Sequence, residues 1–194
     1  MSLQFQSYIG PETAEVLEGL AALRIAVFRE WPYLYDGDLE YERRYLSIYS
    51  KKKAIVVGLF DGAALVGAAT GMPFLDYSDD FRAALADSGL ALDAMFYCAE
   101  SVLLPTYRGQ GAGHVFFAQR EAFAVHEGFA VSAFCAVQRA KEHPARPDDY
   151  RPLDGFWRKR GYQPLPGAVA NFSWRDVGDA GESLKELQFW SKEI

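Results

Sequence analysis

Glu100-Ser-Val-Leu-Leu-Pro-Thr-Tyr-Arg-Gly-Gln-Gly-Ala-Gly-His-Val-Phe-Phe117 is the stretch on which the fold turns. An apolar run with strand character meets Pro105, glycines follow at 109, 111 and 113, and a helical pattern begins near Ala112. The first amides of a helix lack intrahelical partners and carry partial positive charge, so glycines there let a phosphorylated ligand approach bare N–H groups. Two common phosphate loops do not match. A P-loop needs Lys and then Ser or Thr after the glycines. A dinucleotide fingerprint needs a third glycine where His114 stands, and an acid after the next strand, which ends at Val137-Gln138.

Working outward, residues 94 to 104 read as the strand entering this motif. The helix after it carries Val115, Ala118, Ala122 and Val125 on one stripe with Phe116 and Phe123 beside it, and Gly128 closes it. Residues 129 to 137 form the next strand, parallel to its predecessor because a helix joins the two. Upstream, residues 2 to 9 read as a first strand stopped at Gly10-Pro11. A helix follows Thr13, with Val16, Leu17, Leu20, Leu23 and Val27 at helical spacing, and runs until Pro32. Residues 28 to 38 gather four aromatic side chains around a proline, and a second helix spans 39 to 49, before Lys51-Lys-Lys53. Residues 54 to 60 and 64 to 70 make a hairpin around Asp61-Gly62. Residues 74 to 92 are a polar excursion with a short helix over 79 to 87. Downstream lie a proline-bearing loop (138 to 152), a short helix (153 to 160) and two closing strands (168 to 175 and 184 to 190). No repeat interrupts this order, and residues 1 to 194 read as a single domain.

Half the residues are hydrophobic and 15% aromatic, ample for a packed core. No run approaches the roughly 18 apolar residues of a membrane span, and the N-terminus lacks signal-peptide order, so a cytoplasmic protein without a membrane partner is expected. Cys98 and Cys135 sit in apolar runs and read as buried free thiols rather than a disulfide or metal pair; no metal site is assigned. The net charge of −6 argues against nucleic-acid binding. Residues 139 to 160 hold seven Lys/Arg against four acids, either a solvated surface or a basic rim beside a polyanion.

With its proline and arginine included, the stretch 103 to 113 resembles the acyl-CoA motif of the GCN5-related N-acetyltransferases, an Arg or Gln, two residues, Gly, one residue, then Gly or Ala. Arg108, Gly111 and Gly113 match it. Phe156-Trp157-Arg-Lys-Arg-Gly161-Tyr162 is similar to a second block of that family. The resemblance implies a mixed α/β (α+β) fold with a central mixed, mostly antiparallel sheet, splayed and flanked by helices. It implies acetyl-CoA as co-substrate and no metal. Pantetheine amides would pair with Val102 and Leu103, and the diphosphate would lie on Arg108, Gly109, Gln110, Gly111, Ala112, Gly113 and His114.

Acyl transfer to an amine needs a base, an oxyanion donor and, optionally, an acid for the leaving thiolate. Glu100, a carboxylate in an apolar run, is the leading base, with a structural ion pair as the competing role. The family's usual tyrosine acid is replaced by Trp157, which has no proton to give; Tyr150 is the nearest alternative and Tyr97 a weaker one. Trp31, Tyr33 and Tyr35 either wall an acceptor pocket or cover the core. The expected acceptor is a small-molecule amine. A non-catalytic acyl-CoA-binding domain and transfer to a protein N-terminus or lysine are the alternatives. Phe172, Trp174, Phe189 and Trp190 look exposed enough to pair across a homodimer, or else pack within the chain.

Overall fold

The computed structural model describes residues 3 to 51 and 53 to 194, with the side chain of residue 51 left aside. Ser2, expected to open the first strand, and Lys52 lie outside the described residues. The strands are β1 (Leu3–Ile9), β2 (Ile55–Asp61), β3 (Ala64–Pro73), β4 (Met95–Tyr97), β5 (Ser101–Leu103), β6 (Val131–Val137), β7 (Gln163–Arg175) and β8 (Glu182–Glu193). The helices are α1 (Leu17–Phe28), α2 (Leu39–Lys51), α3 (Asp79–Ala84), α4 (Ala112–His126) and α5 (Asp154–Lys159). All eight strands join one sheet in the order β1-β2-β3-β4-β6-β8-β7, with β5 beside β3. Among the described residues, only β4 and β6 pair in parallel, as the intervening helix requires.

Strand alternation builds two layers on this sheet. Ile55, Val57 and Leu59 face α4, where Phe116 and Phe117 pack, while Val56, Ala68 and Val102 face α1 and α2, meeting Leu20, Leu23 and Tyr49. A third cluster joins Phe74 and Phe81 to Phe189 and Ala170 beneath the C-terminal hairpin. Phe189 is fully buried, Trp190 is 4% exposed and Trp174 7%, and Phe172 is half-buried. Of the two readings of these aromatic residues, packing within the chain is the one the burial supports: Phe189 packs on Phe81, Trp190 on Trp157 and Trp174 on Tyr33. Among the described residues, no helix is long and apolar enough to cross a membrane.

The expected continuous strand 94 to 104 is broken. Ala99 N donates to Thr70 O (3.1 Å) and Thr70 N donates to Glu100 O (3.0 Å), so two residues oppose one and a β-bulge interrupts the edge. Before the bulge, β4 pairs with both β3 and β6; after it, β5 stays with β3 and leaves β6. The sheet opens there.

Candidate active site

The bulge fixes Glu100. Its side chain, 3% exposed, turns toward α1 and α2. Oε1 accepts from Arg24 Nη1 (2.6 Å) and the Tyr45 hydroxyl (2.7 Å). Oε2 accepts from the Tyr49 hydroxyl (2.6 Å) and bonds to the Thr70 hydroxyl. Both oxygens thus have their lone pairs engaged and none is left for an incoming amine; of the two roles the sequence leaves open for Glu100, these bonds make the structural ion pair. Arg24 is held on its other side by Glu42 Oε2 at 2.5 Å, and Glu42 is fully buried. From the opposite layer Arg120, also fully buried, donates to Thr70 O and Glu100 O (both 3.0 Å) and holds the bulge in place. Two buried cations therefore balance two buried carboxylates.

Tyr45 extends the network outward, its oxygen 2.5 Å from that of Tyr77. Because the Tyr45 proton is committed to Glu100, Tyr77 is the donor in that contact. Burial, and then the charge of Glu100, push the pKa values of Tyr45, Tyr49 and Tyr77 upward, so all three are protonated phenols at neutral pH.

Beyond the bulge two strand edges face each other unpaired. Thr70 N to Glu100 O and Leu104 N to Val66 O turn the even residues of β5 toward β3, so Ser101 and Leu103 direct their backbone groups into the opening. On β6, Gln138 N to Glu186 O and Ile194 N to Ala130 O turn the even residues toward β8, leaving Cys135 and Val137 to face the opening. Leu103 thus turns its N–H to the opening, whereas Val102, expected to do the same, spends its backbone on β3 and its side chain in the core.

The glycine turn lies at the end of β5. Gly109 and Gly111 have φ of 76° and 87°, left-handed values that glycine adopts without strain, and a Cβ on either would meet nothing within 4 Å. Gly111 is the N-cap of α4, so the amides of Ala112 and Gly113 are bare and open to a ligand, whereas His114, expected among the diphosphate-binding residues, already donates its N–H to Gly111 O (3.0 Å). At Gly113 a Cβ would come within 3.3 Å of Phe156, so small size there lets α5 approach. Arg108 ties the turn down, donating to Leu103 O (3.1 Å) and pairing with Glu30 (2.9 Å). Gln110 Nε2 reaches Thr106 O (3.3 Å); His114 is exposed, 3.3 Å from Arg160 Nη1. Bare amides, a left-handed glycine cap and two free strand edges together fit a diphosphate carrying an amide-rich arm.

At the apex of the opening begins a pocket of about 520 Å³. Its inner end is made by Tyr97, Ala99, Glu100 and Cys135, and its mouth by Asp36, Arg175 and Glu182. Cys135 and Cys98 are free thiols. Burial, partly offset by the Tyr97 hydroxyl 3.0 Å away, pushes the Cys135 thiol up to about 12, so it is no thiolate nucleophile. Tyr33 and Tyr35 both line this pocket and pack on the α1–α2 core. Trp31 does not; it packs on His143 (5.0 Å) and Tyr150 (5.9 Å) outside it, and Tyr150 stands with it. Trp157 is taken up by packing on Phe134 (5.0 Å) and Trp190 (5.2 Å).

The aromatic loop is locked in place. Arg139 donates to Pro32 O (2.9 Å) and Tyr33 O (2.6 Å) and forms a two-point ion pair with Asp176 (2.6 and 2.9 Å), which Lys185 also approaches at 3.3 Å. Burial works to raise the Asp176 pKa, but Arg139 and Lys185 outweigh it and hold the carboxyl below its usual range. Arg139→Met is expected to lower stability by about 2 kcal/mol, since a partly buried charge-assisted set is lost. A depressed folded-state pKa contributes stability that is full above the usual Asp range and is lost as pH falls through the folded value. The Tm gap between wild type and Arg139→Met should therefore narrow below about pH 4 in thermal melts; a gap independent of pH would rule the ion pair out as its source.

Neither a family model nor a curated protein matches the sequence. The structure, however, is similar to solved N-acetyltransferases along the whole chain. A ribosomal-protein-alanine N-acetyltransferase from Brucella melitensis matches at 14% identity and TM-score 0.62, covering 100% of both chains. A GCN5-related N-acetyltransferase from Kribbella flavida matches at 13% identity and TM-score 0.58, covering 99% of this chain and 98% of its own. The PaiA N-acetyltransferase of Thermoplasma acidophilum, solved with coenzyme A, matches at 13% identity and TM-score 0.54 over 100% of both. The chain has the fold of the GCN5-related N-acetyltransferases.

Proposed function

We propose that the protein is an acetyl-CoA-dependent N-acetyltransferase, acting on the primary amine of a small molecule by direct attack in a ternary complex. One observation carries this reading: β5 and β6 part with free backbone edges facing each other, between a glycine-capped helix start and the apex of an aromatic pocket. The Leu103 N–H and the backbone of Val137 suit the amides of a pantetheine arm, and the amides from Gly109 to Gly113 suit its diphosphate. The pocket, enclosed by a loop bonded to both β6's exit and β7, suits a small molecule better than a peptide.

In the reaction the amine nitrogen bonds to the thioester carbonyl carbon and the carbon–sulfur bond breaks. An ammonium and acetyl-CoA give the N-acetyl amide, the CoA thiol and one released proton. The Ser101 N–H, on the same free edge and next to Glu100 at the pocket's inner end, is assigned to the developing oxyanion. Glu100 receives the amine's proton indirectly: Tyr77 takes it, passes its own to Tyr45, and Tyr45 passes its own to Glu100, along hydrogen bonds of 2.5 and 2.7 Å. A saturated carboxylate can accept a proton through a donor already bonded to it. Tyr150 stands with Trp31 outside the pocket, and no acid is assigned to the departing thiolate.

The test is CoA-thiol release from acetyl-CoA across a broad panel of amines. Tyr77→Phe should lower kcat by about tenfold to a hundredfold while sparing Tm; unchanged kcat would remove the relay. Thermal stabilisation by acetyl-CoA with no thiol released for any amine would leave an acyl-CoA-binding protein without transfer.

A further inference from the structure

We infer that the acceptor is an aromatic primary amine bearing no carboxylate, so that amines of the arylethylamine type are taken and the corresponding amino acids refused. The inference rests on the acyl-transfer reading of the same pocket and concerns what fills it.

Ten of the 22 residues lining the pocket are Tyr, Phe or Trp. Their arrangement makes flat, apolar walls: Tyr33 stacks on Trp174 with centroids 5.9 Å apart, and Phe28 lies 4.3 Å from Tyr33. These faces already hold a cation, since the Arg24 guanidinium lies 4.9 Å from the Phe28 centroid and 4.6 Å from that of Tyr45. An ammonium entering among the tyrosines meets the same negative ring faces.

A carboxylate meets no uncompensated cation. Among the described residues, no lysine or histidine lines the pocket, and its cations are Arg24 and Arg175. At the inner end Arg24 is bonded to two buried carboxylates, Glu42 and Glu100, so an α-carboxylate beside the amine would find a neutralised guanidinium and a repelling Glu100. At the mouth Arg175 is paired with Asp36 at 2.7 Å, and Glu182, also lining the mouth, adds a further negative charge. Burying a carboxylate without a partner is costly, so exclusion follows from the charges that Glu42, Glu100 and Asp36 occupy. A linear polyamine has no flat face to set against these rings and forgoes the stacking that an aromatic amine gains.

The experiment compares 2-phenylethylamine, phenylalanine, 1,4-diaminobutane and 4-(2-aminoethyl)benzoate in thiol release and, with CoA present, in thermal stabilisation. We expect kcat/KM for 2-phenylethylamine to exceed that for phenylalanine by about 10²-fold or more, the order of discrimination set by an unpaired buried charge. It should also exceed that for 1,4-diaminobutane. Asp36→Asn, which frees Arg175 at the mouth, should raise the ratio of the benzoate to 2-phenylethylamine by about tenfold, the size of one charge-assisted contact. Phenylalanine or 1,4-diaminobutane matching 2-phenylethylamine would overturn the inference while leaving acyl transfer standing. An unchanged benzoate ratio in Asp36→Asn would overturn the part assigned to Asp36. Stabilisation by 2-phenylethylamine alone, without thiol release, would keep the ligand class and overturn the acyl-transfer reading instead.

Discussion

Glu100→Gln is expected to lower both stability and turnover, each by an amount that few single substitutions reach. The amide replaces one acceptor oxygen with a donor, and that donor must face either Arg24 and Tyr45 or Tyr49 and Thr70, all of which donate to the carboxylate. Arg24 would keep Glu42 as its remaining carboxylate, so the loss should fall near the lower end for breaking a buried ion pair, about 3 kcal/mol. For a chain of this length that corresponds to a Tm decrease of about 10 °C. Turnover should fall by about 10² or more, because the proton taken by Tyr77 no longer has a charged destination. Binding of acetyl-CoA should survive, since Glu100 points to the α1–α2 layer and away from the glycine turn. A folded Glu100→Gln with normal kcat would exclude the carboxylate from the proton path.

The features legible in the sequence were those imposed by local backbone chemistry. Glycines at 109 and 111 take left-handed φ values, Pro105 ends the strand, and a helix between two apolar runs makes β4 and β6 parallel. Glu100 was conspicuous as an acid in an apolar run. Its partner Arg24 carried the same signal, a cation among Leu20, Ala21, Leu23 and Phe28 on the buried face of α1, and was missed. The bulge was not legible, because Ala99 and Glu100 differ from regular strand only through their shared partner Thr70, far away in sequence. The pocket's tyrosines come from four separated segments, around residues 33, 45, 77 and 97, and no periodicity links them. Trp31, close in sequence to Tyr33, lies outside the pocket because Arg139 binds the carbonyls of Pro32 and Tyr33 and turns the loop between them.

Gly111→Glu is expected to abolish CoA binding, lowering affinity by at least about 10²-fold. The substitution carries two effects that must be separated. A non-glycine residue at φ 87° costs about 1–2 kcal/mol of backbone strain, and a carboxylate at the start of α4 would stand on the bare amides and repel a dianion. Space is not a factor, since a Cβ there meets nothing within 4 Å. Gly128, near the C-terminus of the same helix, has φ 88° and equally open surroundings, so Gly128→Glu imposes the same strain away from the ligand. Calorimetric titration with CoA should find Gly128→Glu binding close to wild type and Gly111→Glu not binding, with Gly111→Asn in between, because asparagine tolerates the left-handed region and brings no charge. Acetyl-CoA at 100 times its Kd should stabilise wild type by about 2.7 kcal/mol and leave Gly111→Glu unmoved. Equal loss in both glutamate variants would assign the effect to helix strain. Retained binding in Gly111→Glu would move the diphosphate elsewhere and remove the glycine turn from the site.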